Sequence, residues 1–270
     1  MIQIKTVDEI AKMREAGLVV ANTLRALREA VRPGMSTADL DEIAEARITE
    51  AGATPSFKGY YGFPATICTS VNEQIVHGIP SRTKVLADGD IVSIDCGAIL
   101  DGWHGDSAIT IPVGDVAPEV ARLLEVCEGA MWRGLAAARV GWRLTDIGHA
   151  VEALVRSRGE YGVVQEYVGH GIGTEMHQDP QVPNYGRPGQ GPRLREGMAL
   201  AIEPMVNLGS RHTRLLDDEW TVETRDGRWS AHFEHTVALT PQGPWVLTDP
   251  DGGRAWFDSL FTAGVGSDAS

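Results

Sequence analysis

Apolar residues recur at spacings of three and four from residue 10. Ile10, Met13, Gly17, Val20, Leu24, Leu27 and Val31 form one stripe, the period of an amphipathic helix. Thr6-Val-Asp-Glu9 ahead of it has the form of a capping box, and Pro33-Gly34 closes it. Ser36 or Thr37 can cap a second helix carrying Leu40, Ile43 and Ile48, which stops at Gly52. Residues 66–76, 91–99 and 108–113 read as strands. A helical period resumes over 116–140 and again over 145–158, ending at Gly159. Strand-like segments follow at 163–168, 198–202, 220–224 and 231–239. QVPNYGRPGQG, residues 181–191, reads as loop. The end, 262–270, is small and polar and is expected to be disordered.

The two halves resemble each other. With the chain slid by 107 residues, Arg32, Gly34, Asp39, Glu45, Ala46 and Gly52 fall on Arg139, Gly141, Asp146, Glu152, Ala153 and Gly159. With a slide of 108, LADGDIVSID (86–95) falls on LREGMALAIE (194–203), which sets Asp95 over Glu203. Either a unit of two helices and a hairpin has been duplicated, or two amphipathic segments are alike by chance.

The chain has 270 residues, enough for one large domain or two small ones, and it can bury a substantial core. A formal net charge of -13 argues against broad nucleic-acid binding and against an anionic membrane surface. It suits a substrate with a positive group. No apolar run is long enough to span a membrane. MIQIKTVDEI has no apolar core of a secretory signal. Cys68, Cys96 and Cys127 lack zinc-type spacing and read as reduced thiols of a cytoplasmic protein, Cys96 and Cys127 as small buried hydrophobes.

VSIDCGAILDGWHGDSAITI, residues 92–111, is where chemistry enters. Asp is a poor strand former, yet Asp95 and Asp106 flank a hairpin with Asp101-Gly102 at its turn. A two-residue turn pairs Asp95 with Ala108 and puts Asp106 on the same face. Two inward carboxylates are costly without compensation. Either a cation lies between them, and hard divalent ions prefer oxygen, or one or both sit at a solvated strand end. Glu203 in AIEPM and Glu234 in SAHFEHTVAL add two carboxylates in apolar surroundings. His170 lies in the glycine-rich stretch YVGHGIGTEMHQDP. Four carboxylates and one imidazole make a plausible ligand set for two divalent ions.

Five motifs occur in order: GYYGFPATICTSVNEQIVHGIP, IDCGAILDGWHGDSA, GHGIGTEMHQDP, LAIEPMV and FEHTV. In them the chain resembles the methionine aminopeptidases of the short bacterial type I kind, over roughly residues 3 to 250. The resemblance implies an α+β pita-bread (creatinase/aminopeptidase) fold: two duplicated αβ halves related by a pseudo-two-fold, with a curved antiparallel sheet covered by helices. Residues 1–255 would be one catalytic domain, with pseudo-repeats at about 10–113 and 116–240. Residues 256–270 would be a partly disordered tail, in which the role of Trp256, Phe257 and Phe261 is open.

By the same resemblance Asp95, Asp106, His170, Glu203 and Glu234 hold two divalent ions, among Co, Mn, Fe(II), Zn and Ni. Asp106 and Glu234 would bridge, His170 and Glu203 would complete one ion, and Asp95 the other. His77 would act near the scissile amide nitrogen, and His177 would bond the carbonyl oxygen as it becomes an oxyanion. Glu203 would serve as general base for a metal-activated hydroxide. Phe57, Tyr60, Phe63, Cys68, Met176 and Trp220 would wall the methionine pocket. Met176 stands where an aromatic is common in the family, and Phe57 where a smaller residue is. His232 stands where the family pattern has glutamine, on the strand face of Glu234. His104 is expected behind the ligands, His235 on the opposite strand face from Glu234, and His149 and His212 in structural or solvated places.

The implied reaction is removal of the initiator methionine from nascent chains when the next residue is small. The implied partners are nascent N-termini, with transient ribosome contact through the catalytic domain's surface since no zinc-finger-like extension precedes it. The implied form is a cytoplasmic monomer that binds no specific nucleic acid and no membrane. A proline-directed aminopeptidase or prolidase of the same fold is the first rival, but Asp95 arrives too early for the extra N-terminal domain of those enzymes. A type II enzyme would carry an insertion where only 25 residues separate His177 from Glu203. A non-catalytic pita-bread binding protein is the rival from another class, and it would be expected to lack ligands.

Overall fold

In the structure, a computed structural model that describes residues 1–264, Thr6 caps helix α1 (Val7–Ala30). The Thr6 hydroxyl accepts the Glu9 N–H at 3.3 Å, and the Glu9 carboxylate accepts the Thr6 N–H at 2.8 Å. Two otherwise orphaned donors are thereby satisfied. Ser36, of the two candidate caps, opens α2 (Thr37–Glu50) by the same exchange with Asp39. The strands β1 (Thr54–Pro55), β2 (Ile67–Val71), β3 (Gln74–Val76), β4 (Ile91–Leu100) and β5 (Trp103–Pro112) follow. The single strand expected over 66–76 is two strands. Asn72, at φ 56, turns the chain between β2 and β3, so that they enter different sheets. Asn is among the few residues that take this conformation readily.

β4 and β5 form a hairpin paired without a break from Leu100↔Trp103 to Ile91↔Pro112. Asp101 (φ 50) and Gly102 (φ 80) make the turn, both left-handed, as two-residue hairpin loops with the strand's twist require. The strand expected from residue 108 therefore starts at Trp103 instead, because the tight turn lets pairing begin at once.

The second half repeats two helices, α3 (Pro118–Ala137) and α4 (Leu144–Arg158). The remaining strands are β6 (Gly162–Val163), β7 (Gly169–Gly171), β8 (Gln178–Val182), β9 (Ala199–Ile202), β10 (Met205–Asn207), β11 (Thr213–Leu215), β12 (Val222–Thr224), β13 (Ser230–His232), β14 (Glu234–Thr240) and β15 (Gly243–Val246). Three expectations need correction. The strand at 163–168 shrinks to β6, the run 231–239 divides at Phe233 into β13 and β14, and the loop at 181–191 begins only at Pro183, because Gln181 and Val182 pair with β7. Segments this short carry too little periodicity to be read from sequence.

The large sheet runs β1-β4-β5-β14-β9-β7-β8, with β2 also on β4 and β15 also on β14. Its pairings are all antiparallel. The halves join where β5 meets β14. One core cluster gathers Leu24, Leu27, Leu40 and Ile48 of α1 and α2 with Ile67, Ile94 and Ile111 of the first half. A second gathers Leu123, Met131, Ile147 and Val151 of α3 and α4 with Leu200, Ile202 and Val237 of the second half. Cys68, Cys96 and Cys127 are buried free thiols. Among the described residues no helix is long and apolar enough to cross a membrane.

Gly17, read as part of the helix stripe, has a steric reason to be there. A Cβ at 17 would meet the Leu247 carbonyl, its carbon at 2.8 Å, and the Gly17 Cα lies 2.8 Å from where a Cβ at Gly105 would stand. α1 can thus lie against β5 backbone to backbone. Gly17→Ala is expected to lower unfolding free energy by about 1–3 kcal/mol, although alanine favours a helix by about 1 kcal/mol over glycine. Urea unfolding of the two proteins measures the sign.

The Arg14 guanidinium fastens the C-terminal segment to α1, donating to the carbonyls of Val246, Leu247, Asp249 and Pro250. Helix α5 (Arg254–Gly264) follows. Trp256 stacks on Trp132 at 5.0 Å and Phe257 meets the same ring edge-on. The tail expected from residue 256 is therefore helical at its start and docked on the core, since two aromatic side chains pack, partly buried, against it. Residues 265–270 of the expected disordered end lie outside the described residues.

Candidate active site

Strand register builds the site. Asp95 pairs with Cys68 on one side and Ala108 on the other. Ala108 pairs in turn with Glu234, and the β14–β9 register, His235↔Ile202, brings Glu203 opposite Glu234 when continued by one residue. The adjacent row holds Gly97↔Asp106, Thr236↔Ala201 and His170↔Ala201. Directly opposed residues, and residues two apart, share a face. Asp95, Asp106, His170, Glu203 and Glu234 thus project from one face of the sheet, in two neighbouring rows. Gly97, Ala108 and Ala201 stand between them, and their small size leaves room for the longer side chains to converge.

All five line one cavity of about 270 Å³, together with His77, His177 and the six expected wall residues Phe57, Tyr60, Phe63, Cys68, Met176 and Trp220. Phe57, Phe63, Cys68 and Met176 form a buried apolar cluster, with Tyr60 and Trp220 packed against it. Phe63 meets Trp220 edge-on at 5.1 Å. A Cβ on Gly97 would stand 2.8 Å from the Phe57 ring, so the glycine beside Asp106 is what lets Phe57 lie against the sheet.

Ligand atoms of Asp106, His170 and Glu234 lie within 4.8 Å of one another, and so do those of Glu203, His232 and Glu234. His170 Nε2 is 3.5 Å from Glu203 Oε1 and 3.8 Å from Asp106 Oδ2. Its Nδ1 lies 2.9 Å from the Gly171 carbonyl and must be the protonated nitrogen, because a carbonyl only accepts. The lone pair is then on Nε2, facing the carboxylates, as a metal-binding imidazole requires. The His177 ring lies 4.3 Å from that of His170 and its Nδ1 shares a 2.9 Å hydrogen bond with the Tyr60 hydroxyl. His77 sits at φ 60, a conformation uncommon outside glycine, with its ring edge-on to Tyr167 at 5.6 Å.

Burial pushes the Asp95 carboxyl up to about 7. Burial first, then the charges of Glu234 and Asp95, drive Asp106 well above the ordinary carboxylate range. Glu203 and Glu234 rise by burial and by their carboxylate neighbours. His170 is pulled down to about 3 and His77 to about 4, by burial and by His177 nearby, and His177 falls by burial. Oδ1 of Asp95, Oδ1 of Asp106 and Oε1 of Glu234 are buried without a hydrogen-bond partner. Oxygens stacked this way repel unless a cation lies among them. A mostly oxygen donor set with one imidazole fits a divalent ion.

Binding such an ion must release the protons that raised carboxylates hold, and the imidazoles have none to release near neutrality. Divalent-metal affinity is expected to rise from pH 6 to pH 8. Below pH 7 it should fall about tenfold per pH unit for each proton displaced. Calorimetry of Mn(II) binding in two buffers of different ionisation enthalpy counts the protons.

The other histidines sit apart from the carboxylates, with one exception. His104 Nδ1 bonds the Ser56 hydroxyl at 3.0 Å. His235 faces the other side of β14, bonding Ser107 and Thr248. His149 lies exposed on α4, its Nδ1 3.3 Å from the Gly186 carbonyl. The exception is His232, whose Nε2 is 3.7 Å from Glu203 Oε2. Tyr61 at the cavity wall, Ala65 and Ile79 in the apolar cluster and Tyr167 beside His77 were not among the sequence candidates. For Tyr61 a signal was there, an aromatic held between Gly59 and Gly62 (φ 86 and 88).

The sequence model of metallopeptidase family M24 matches residues 11–241. The methionine aminopeptidase of Clostridium acetobutylicum is 54% identical over 92% of this chain and 99% of its own length. The crystal structure of methionine aminopeptidase from Rickettsia prowazekii superposes with a TM-score of 0.90 at 44% identity, over 92% of this chain and all (100%) of that one. The prolidase from Pyrococcus furiosus shares the fold, with a TM-score of 0.73 at 24% identity, over 91% of this chain and 65% of the longer prolidase.

Proposed function

The chain belongs to metallopeptidase family M24, and from that premise we propose this reading of its site. It is a methionine aminopeptidase, a hydrolase that removes an N-terminal methionine when the next residue is small. The observation that carries the reading is one cavity in which an apolar wall adjoins a cluster of carboxylates and imidazoles, of which Asp106, His170 and Glu234 are buried. Asp95, Asp106, His170, Glu203 and Glu234 would hold two divalent ions. When bound, these ions supply Lewis-acid activation of the scissile carbonyl and of the attacking water.

The chain's own residues do the rest. Phe57, Phe63, Cys68, Met176 and Trp220 enclose the methionine side chain, and the acidic floor at Asp95 receives its free α-amine. Glu203, raised by burial, takes a proton from the attacking water and delivers it to the leaving amine. The C–O bond forms first, with the carbonyl electron pair moving onto its oxygen; the C–N bond then breaks as the nitrogen takes the proton from Glu203, and methionine leaves as the free acid. His177 donates to the carbonyl oxygen as negative charge develops there, with Tyr60 fixing its ring. His77 lies beside the leaving nitrogen. The substrates are the N-termini of newly made chains, met by a cytoplasmic monomer at or near the ribosome.

The reading is tested with Mn(II)-loaded protein and two peptides, Met-Ala-Ser and Met-Leu-Ser. Methionine release from the first alone is the expected result, and equal release from both overturns the small-residue rule.

A further inference from the structure

His232 has no part in the reaction above. It is 1% exposed, and its Nε2 has no hydrogen-bond partner. Its backbone is held on both sides. The His232 N–H donates to the Thr110 hydroxyl at 2.9 Å, and that hydroxyl donates to the His232 carbonyl at 2.8 Å. The Thr110 proton is thereby used, so the Ser93 hydroxyl, 2.9 Å away, must donate to Thr110. β13 pairing with Met205 fixes the strand as well. With the backbone fixed in this way, the buried ring places an unpartnered Nε2 beside Glu203 and Glu234, which calls for a partner, since an unmet buried polar atom costs about 1–3 kcal/mol.

The spacing tells which kind of partner. Nε2 lies 3.7 Å from Glu203 Oε2, beyond the 2.7–3.2 Å of a typical hydrogen bond. Two donors each about 2.1 Å from one ion, at an angle of about 120°, stand about 3.6 Å apart. The opposite oxygen of the same carboxylate, Oε1, stands 3.5 Å from His170 Nε2. Glu203 therefore lies between two imidazoles, one at each oxygen. Glu234, whose Oε1 also has no partner, completes a set with His232 and Glu203 whose ligand atoms are all within 4.8 Å.

We propose that His232 is a direct metal donor, forming through Nε2, with Glu203 and Glu234, a nitrogen-bearing subsite for a divalent ion at this end of the centre. The proposal rests on the metal-centre reading above, since it shares Glu203 and Glu234. A second imidazole makes the donor set softer than four carboxylates and one histidine, which favours Zn(II) or Co(II) over Mn(II).

Protein labelled with ¹⁵N-histidine, titrated with Zn(II) alone and followed by NMR of the ring nitrogens, tests it. The expected result is that Nε2 of both His170 and His232 moves to the metal-ligated position. In His232→Gln only His170 should move, and Zn(II) affinity should fall at least about tenfold with a smaller loss for Mn(II). Ligation of His170 with an unmoved His232 at saturating Zn(II) overturns this proposal and leaves the metal centre standing. Failure of both to move overturns the metal-centre reading itself. If His232→Gln does not fold, assignment of the wild-type ring signals through their own backbone decides the same question.

Discussion

Asp106→Asn is expected to lower methionine release at least about 10³-fold while leaving the protein folded. Asp106 occupies the middle of the carboxylate face, two residues from Ala108 and opposite Gly97. It is buried among Asp95, Glu234 and His170. Asparagine keeps its volume but removes a charge that a bound divalent ion would need. Lewis-acid activation supplies several kcal/mol, and about 4 kcal/mol corresponds to 10³ in rate. The metal-free variant should melt no lower than metal-free wild type, because it lacks a carboxyl whose charged form burial and the neighbouring carboxylates penalise. Metal content by elemental analysis, thermal melting and methionine release are read together. Full activity at full metal content would remove Asp106 from the centre, and unfolding would contradict the electrostatic argument.

His177→Ala is expected to lower kcat by about 10²–10³ with little change in KM or in metal content. The size is that of a lost oxyanion donor. His177 is placed for this by the Tyr60 hydroxyl at 2.9 Å and by the His170 ring at 4.3 Å, and its lowered pKa keeps it neutral near pH 7. A donor made chiefly in the transition state shows in kcat, whereas a ground-state contact shows in KM. A rise in KM alone would make His177 a wall of the pocket.

The hairpin at Asp101-Gly102 was legible because its turn chemistry and alternation are local, and it fixed the Asp95↔Ala108 register from sequence. The capped helices were legible for the same reason. What joins Asp95 to Glu234 across Ala108, and Glu203 to His170 across Ala201, is pairing between distant strands. No local period encodes that. The family motifs carried it instead, and they named the residues without giving the two-row arrangement. β7 and β8 escaped detection because strands of three to five residues rich in glycine or polar residues show no alternation, and β10 because three residues are too few to show a period. The departure at His232 was visible in sequence, but its unpartnered nitrogen facing Glu203 needed coordinates.

Metal-dependent release of N-terminal methionine is expected of the carboxylate face and its apolar wall acting together. The measurement is amino-acid release from Met-Ala-Ser and from Ala-Pro-Ala by metal-stripped protein, with and without added Mn(II) or Co(II). Cleavage of Met-Ala-Ser alone, and only with metal, is the predicted result. Cleavage of Ala-Pro-Ala in its place, or of neither peptide with either metal, would contradict it.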